Sequence, residues 1–230
     1  MKFTQIVKRE LFDWNRNELI GLSIVVLLLI YNHIFLHDSK IAIISSICGI
    51  LYTILAGKGK IYCYFFGLLG SGCYIMLSFL NNLWGNALLY LLYYIPMQII
   101  GIFRWSKNLK KDSAEIIKSK LSTQEKINFL IIAIIGCLIT IAILFYFNDK
   151  SPIIDGITTF LSILGMHFTV KRLLEQWIVW IIVNGLSFIM WLILIINGAK
   201  AYSTLVMWGT YFVLAIYFYI VWKKELKQQN

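Results

Sequence analysis

The chain has 230 residues, 60% of them hydrophobic and 14% charged, with a net charge of +10 and a mean hydropathy of +0.77. This composition lies outside the range of soluble globular domains and inside that of polytopic membrane proteins, so a single soluble core is excluded. Cys48, Cys63, Cys73 and Cys137 all sit in apolar segments without CxxC spacing or a neighbouring histidine cluster, which excludes a disulfide framework and a cysteine metal site.

Taken in chain order, Phe3, Ile6, Val7, Leu11 and Trp14 fall on one helical face with Lys2, Lys8 and Arg9 off it, the pattern of a helix lying on a membrane surface. The run Leu19 to Phe35 reads as an uncleaved first span, because Tyr31-Asn32-His33 and His37-Asp38-Ser39-Lys40 follow it with no small-x-small cleavage pattern. Further apolar runs cover Ile41 to Ala56, Ile61 to Leu80, Leu83 to Phe103, Ile127 to Phe147, Ile157 to Val170, Trp177 to Ile196 and Tyr202 to Trp222. Each is near the roughly 17–25 residues a bilayer requires, the second and sixth being shortest, so eight transmembrane helices are expected.

Lysine and arginine concentrate in cytoplasmic loops, which tests that count. With eight spans and the N-terminus inside, only Lys40, Lys150 and Lys200 fall outside, leaving 18 of the 21 basic residues inside. An odd number of spans destroys this alternation, so both termini are expected in the cytoplasm. Anionic headgroups and the same bias account for the positive charge, and no nucleic-acid partner is called for.

Only one connection is long, Ser106 to Lys126, rich in lysine and read as a solvated cytoplasmic linker. Its closing Ser122-Thr123-Gln124-Glu125 has capping-box spacing, so Ser122 should start the fifth helix. With the first span set apart and the fifth treated as a connector, three spans remain on each side. Ser46-Ile47-Cys48-Gly49 matches Ser162-Ile163-Leu164-Gly165, Tyr74-Ile75-Met76 matches Phe188-Ile189-Met190, and Arg104-Trp105 matches Val221-Trp222, at offsets of 116, 114 and 117 residues. Both triplets enter the membrane from the same side, as parallel repeats. Parallel triple-helix repeats joined by an inverting helix are the arrangement of the SWEET sugar transporters, with substrate between the repeats near the midplane. The expected organisation is a surface segment and extra helix over 1–36, a first repeat over 41–105, linker and connecting helix over 106–147, a second repeat over 153–222 and a tail over 223–230.

No Asp, Glu, Lys or Arg falls in the middle of a span, which leaves no group for a proton relay. His33 and His37 lie at the outer end of the first span and His167 near the inner end of the sixth, too dispersed for a hydrolytic or metal constellation. An enzyme is therefore not expected, and no catalytic residue, metal or cofactor is assigned.

Neutral polar residues instead recur at helical spacing. In the fourth span Asn86, Tyr90, Tyr94 and Gln98 fall four apart, with Trp84 and Tyr93 beside them and Pro96 loosening the backbone. In the sixth, Asp155, Thr158, Thr159 and Ser162 share a face, although Thr and Ser also bond back to their own helix and Asp155 suits an N-cap. The seventh carries Trp177, Trp180, Asn184 and Trp191; Trp177 equally suits an aromatic belt at the cytoplasmic interface. Gln98 and Asn184 suit helix–helix hydrogen bonding as well as a ligand. Aromatic faces and carboxamides without a fixed counter-charge fit a flat, hydrogen-bonding ligand that is neutral or a delocalised cation, and offer a phosphate no cation.

Trp84-Gly85-Asn86 followed by Tyr93-Tyr94-Ile95-Pro96-Met97-Gln98, the stretch Thr158-Thr159-x-Leu161-Ser162, and Glu175-Gln176-Trp177-x-x-Trp180-x-x-x-Asn184 resemble the PnuC-type bacterial vitamin transporters, over about Ile41 to Trp222. The first span looks like an addition to that family core. The resemblance implies an all-α carrier of nicotinamide riboside in the bacterial inner membrane, with a three-plus-one-plus-three core similar to full-length SWEETs. It implies facilitated diffusion, with trapping by a cytoplasmic riboside kinase, and a homo-oligomer, a trimer by the family. It also implies substrate contacts from Trp177, Trp180 and Asn184, and from Asn86, Tyr94 and Gln98; Thr158 and Thr159 join them as candidates. The rival readings are a carrier of another flat heteroaromatic vitamin such as thiamine, a SWEET-like sugar carrier, and a membrane scaffold.

Overall fold

Apolar runs of this length satisfy their backbone groups in lipid only as helices, and helices are what forms. The computed structural model describes residues 16–36, 40–80, 84–111, 113–148, 151–197 and 202–228, without the side chains of 17, 18, 33, 36, 42, 77, 78, 84–86 and 203. The expected surface helix around Trp14, and the outside lysines Lys150 and Lys200, lie outside the described residues. The helices are α1 (Arg16–Leu36), α2 (Lys40–Gly57), α3 (Cys63–Leu80), α4 (Trp84–Leu89), α5 (Ile95–Ser106), α6 (Thr123–Tyr146), α7 (Pro152–Val170), α8 (Glu175–Ile196) and α9 (Tyr202–Gln228), with a π-helical turn Tyr90–Tyr94 joining α4 to α5. Among the described residues, five helical stretches suffice by length and composition to cross a membrane: Ala87–Ser106, Thr123–Tyr146, Pro152–Val170, Glu175–Ile196 and Thr204–Gln228. Leu19–Asn32, Ile43–Gly57 and Cys63–Met76 are apolar but shorter.

The chain divides into two compact units, Met1–Ile117 with Lys200–Thr210, and Lys118–Ala199 with Tyr211–Asn230. In the first, α2 and α3 lie side by side: Ser45 donates its hydroxyl to the Gly70 carbonyl at 3.1 Å, and a Cβ on Gly70 would stand 3.1 Å from that of Cys48. Tyr64 seats its ring on Gly101 of α5 and meets Trp105 edge-on at 5.0 Å. In the second unit α6 packs on α7 through two glycines. A Cβ on Gly136 would run into the Phe160 ring, and one on Gly156 would stand 2.9 Å from backbone atoms of Ile141. Small residues of this kind let helices approach in lipid, where no hydrophobic effect drives them together.

α6 opens as its sequence predicts: Ser122 Oγ accepts from the Glu125 N–H while the Glu125 carboxylate accepts from the Ser122 N–H, a complete capping box. The segment before it departs from a solvated loop. In the first unit Ala114 and Ile116 are fully buried, with Ile61 N–H donating to Ala114 O and Ile116 N–H to Gly59 O. In the second unit Ser119 pairs with Arg172 and Leu174, and the buried Lys118 reaches Glu225 and the face of Trp222. Glu175, buried at the start of α8, accepts from Leu121 N–H at 3.0 Å and pairs with Lys126 at 3.2 Å. The linker's backbone binds two turns, and its alternate side chains go inward with it.

Those two turns are built alike at a constant offset of 113 residues. Lys58 N–H donates to Ile54 O as Lys171 does to His167 O, Lys60 to Leu55 as Leu173 to Phe168, and Tyr64 to Ile61 as Trp177 to Leu174. Gly59 and Arg172 both take the left-handed conformation, at φ 71° and 62°. The carbonyl of each accepts a linker N–H, from Ile116 and Ser119 respectively. The tetrapeptide match at 116 and the tripeptide match at 114 are therefore not the structural register of these helices; short apolar matches recur by chance. The offset of 117 for the third helices fits: Trp105 meets Tyr64 at 5.0 Å and 75°, Trp222 meets Trp177 at 5.7 Å and 79°, and both tryptophans are fully buried.

Candidate functional site

Pro96 has no N–H for a bond to the carbonyl four residues back, and its ring crowds that carbonyl. The chain widens there instead: the Ile95 N–H reaches back five residues to Tyr90 O, and Tyr90–Tyr94 form the π turn. This turn carries a ladder of tyrosines, Tyr74 to Tyr90 at 4.4 Å, Tyr90 to Tyr94 at 4.7 Å, and Tyr93 edge-on to Tyr94 at 5.5 Å. Two turns later Gln98, 4% exposed, donates from Nε2 to Ser71 Oγ at 2.7 Å. Its Oε1 is buried without a donor, a state costing about 1–3 kcal/mol. The structure thus brings Tyr94 and Gln98 onto one helix facing α3; the side chain of Asn86 lies outside the described residues.

In the second unit α8 holds the stripe seen in the sequence. Trp180 lies against Gly165 of α7, where a Cβ would stand 3.0 Å from the indole, and its Nε1–H donates to Thr169 Oγ1 at 3.2 Å. Thr169 in turn donates to the Gly165 carbonyl at 2.9 Å, so α7 fixes the indole from below and from its edge. One turn on, Asn184 is 5% exposed and makes no hydrogen bond to any described residue. Trp177 is 2% exposed, stacked on Phe218 at 5.4 Å and edge-on to Trp222, which places it in the packed interior of this unit. Thr158 donates its hydroxyl to the Ile154 and Asp155 carbonyls of its own helix, leaving only its lone pairs for a ligand. Thr159 is half-buried one residue along.

Ser71, Gly165 and Thr169 were not singled out by the polar pattern. Their signal was available as small-residue spacing, Gly67, Gly70 and Ser71 on α3 and Gly165 with Thr169 on α7, which marks close helix approach and not ligand chemistry. Chemically, each unit offers aromatic faces, a carboxamide that is 4–5% exposed, and no Asp, Glu, Lys or Arg at the depth of Gln98 or Asn184. Such groups bind and orient a ligand; they supply neither a nucleophile nor a proton relay.

Residues 39–224 match the family model described as nicotinamide mononucleotide transporter. The chain is 31% identical to a nicotinamide riboside transporter PnuC of Neisseria mucosa over 97% of this chain and 87% of that protein. It is 30% identical to one from Haemophilus influenzae over 94% of each. The crystal structure of a vitamin B3 transporter PnuC superposes with a TM-score of 0.84 at 29% identity, covering 100% of both chains. These matches run the length of the helical core and include α2 to α9, so the chain belongs to the PnuC-type family of membrane transporters and is not an enzyme.

Proposed function

We propose that the chain carries nicotinamide riboside across the bacterial inner membrane by facilitated diffusion through alternating access, with a cytoplasmic kinase trapping the riboside. The observation that carries this reading is Asn184: a carboxamide only 5% exposed on an apolar helix, one turn from an indole fixed in place by Gly165 and Thr169. A carboxamide at that depth is costly to leave without a polar partner, and a transported amide or ribose hydroxyl is of the right kind to meet it. Trp180 offers a face to the pyridinium cation, an attraction of about 2 kcal/mol when desolvated. Trp177, Thr158, Thr159, Gln98, Tyr94 and Asn86 are further candidates for substrate contact, carried over from the family resemblance and the polar pattern of the sequence.

The family's description names a mononucleotide and the relatives' names a riboside, and the chain's chemistry favours the riboside. A phosphate is met by Arg or Lys in charge-assisted pairs, and no basic residue lies mid-span. Eight spans with a three-plus-one-plus-three core are supported by the matched turns at Gly59 and Arg172 and by the distribution of basic residues. The bilayer is the surrounding partner, and a homo-oligomer, taken as a trimer, is carried over from the family resemblance. Competition of labelled nicotinamide riboside binding by unlabelled nicotinamide riboside, nicotinamide mononucleotide, thiamine and glucose tests the assignment. Only the riboside should displace label at equal concentration; thiamine or glucose as the better competitor would replace this reading by a thiamine or sugar carrier.

A further inference from the structure

The two ends of the Gln98 carboxamide are held differently, Nε2 by Ser71 and Oε1 by nothing. Gly67 makes room for Oε1 itself: a Cβ there would stand 2.5 Å from Oε1 and 2.7 Å from Cδ2 of Tyr52, whose ring lies over the same glycine. An oxygen is tolerated against a glycine Cα–H, whereas an NH2 group in that place would face C–H bonds with nothing to accept from it. Moving 113 residues on, the offset of the matched turns, Tyr52 corresponds to Gly165, Gly67 to Trp180 and Ser71 to Asn184. Ring and glycine have exchanged helices, and each unit keeps a ring seated on a glycine with a carboxamide close by.

We propose that Ser71 is a positioning residue for recognition. By taking the amide N–H of Gln98, it leaves the acceptor Oε1 as the end of that carboxamide available to a ligand. Gln98 therefore reads an N–H or O–H donor on the substrate and rejects an acceptor in its place. The Tyr52 ring lies against the same glycine as that acceptor, so a donor reaches Oε1 only with the ring turned aside. On nicotinamide riboside the donor is either the carboxamide N–H or a ribose hydroxyl.

The inference rests on the riboside reading above, and binding to the purified full chain tests both. The ligands are nicotinamide riboside, nicotinic acid riboside, which lacks the amide N–H, and the 2′- and 3′-deoxy ribosides, each lacking one hydroxyl. Wild type should disfavour the analogue missing the donor by about tenfold, the worth of one hydrogen bond. Which analogue is disfavoured identifies the donor. Ser71→Ala should bring that ratio to within about threefold, because the freed amide turns either end to the ligand, and Ser71→Thr should keep it. A Ser71→Ala chain that weakens all four ligands by one common factor, or a wild type that discriminates against none, overturns the proposal. A wild type that binds no nicotinamide riboside overturns the riboside reading, and this inference with it. If Ser71→Ala does not fold, Gln98→Glu and Gln98→Met decide. The carboxylate, all acceptor, should keep the ratio and the thioether lose it; the reverse contradicts the assignment.

Discussion

Asn184 and Tyr64 are both interior polar residues, and their replacement should show up in different measurements. Tyr64 is at the seam with Gly101, its hydroxyl buried and unpaired, so Tyr64→Phe removes a desolvated oxygen and should leave the thermal transition unchanged or raised. A marked fall would show that the hydroxyl has a partner. Asn184→Leu should likewise preserve folding, yet weaken nicotinamide riboside binding by about tenfold or more, since the lost bond is to the ligand. Trp180→Ala should weaken it too, with wild-type affinity in both variants removing the pair from the site. Asn184 and Trp180 were legible in the sequence because a carboxamide and an indole stand out in a run of Ile and Val. Ser71 was not, since a serine flanked by Gly70 and Gly72 looks like helix packing until the Gln98 amide is seen on it.

At the scale of elements, glycines decide how closely helices pack, and their contexts predict opposite signs. Gly156 faces backbone atoms of Ile141 at 2.9 Å, which cannot yield, so Gly156→Ala should force α6 from α7 and lower stability by about 1–3 kcal/mol. Gly21 has nothing within 4 Å of where its Cβ would be, and Gly21→Ala should stabilise α1 by about 0.5–1 kcal/mol. Thermal unfolding of the two variants side by side checks the contrast. Helix positions and the Ser122 capping box were readable from hydropathy and spacing. The π turn was not: the four-residue spacing of Asn86, Tyr90, Tyr94 and Gln98 assumes an unbroken α-helix, and only Pro96 hinted at the break. Nor was the likeness of the two turns, because it resides in backbone hydrogen bonds around Gly59 and Arg172, which share no side-chain identity.

For the whole molecule, basic residues should report sidedness. Cysteine placed at Lys150 should react with an impermeant maleimide in intact cells, and cysteine at Lys107 only after the membrane is opened. The same labelling at both positions would contradict the eight-span reading. The membrane class follows from composition and the expected sidedness from where the basic residues fall, while the burial of Ala114 and Ile116 in the linker required the structure, because lysine-rich flanks mask two inward-facing apolar residues. The absence of mid-span Asp, Glu, Lys and Arg has the largest functional consequence: it leaves no charged side chain for a proton relay, and transport by facilitated diffusion is the expectation that follows. Uptake of labelled nicotinamide riboside into proteoliposomes, with and without enclosed riboside kinase and ATP, and with and without an ionophore, tests this directly. Equilibration to the external concentration without kinase, accumulation with it, and indifference to the ionophore are predicted. Kinase-free accumulation that the ionophore abolishes would contradict facilitated diffusion.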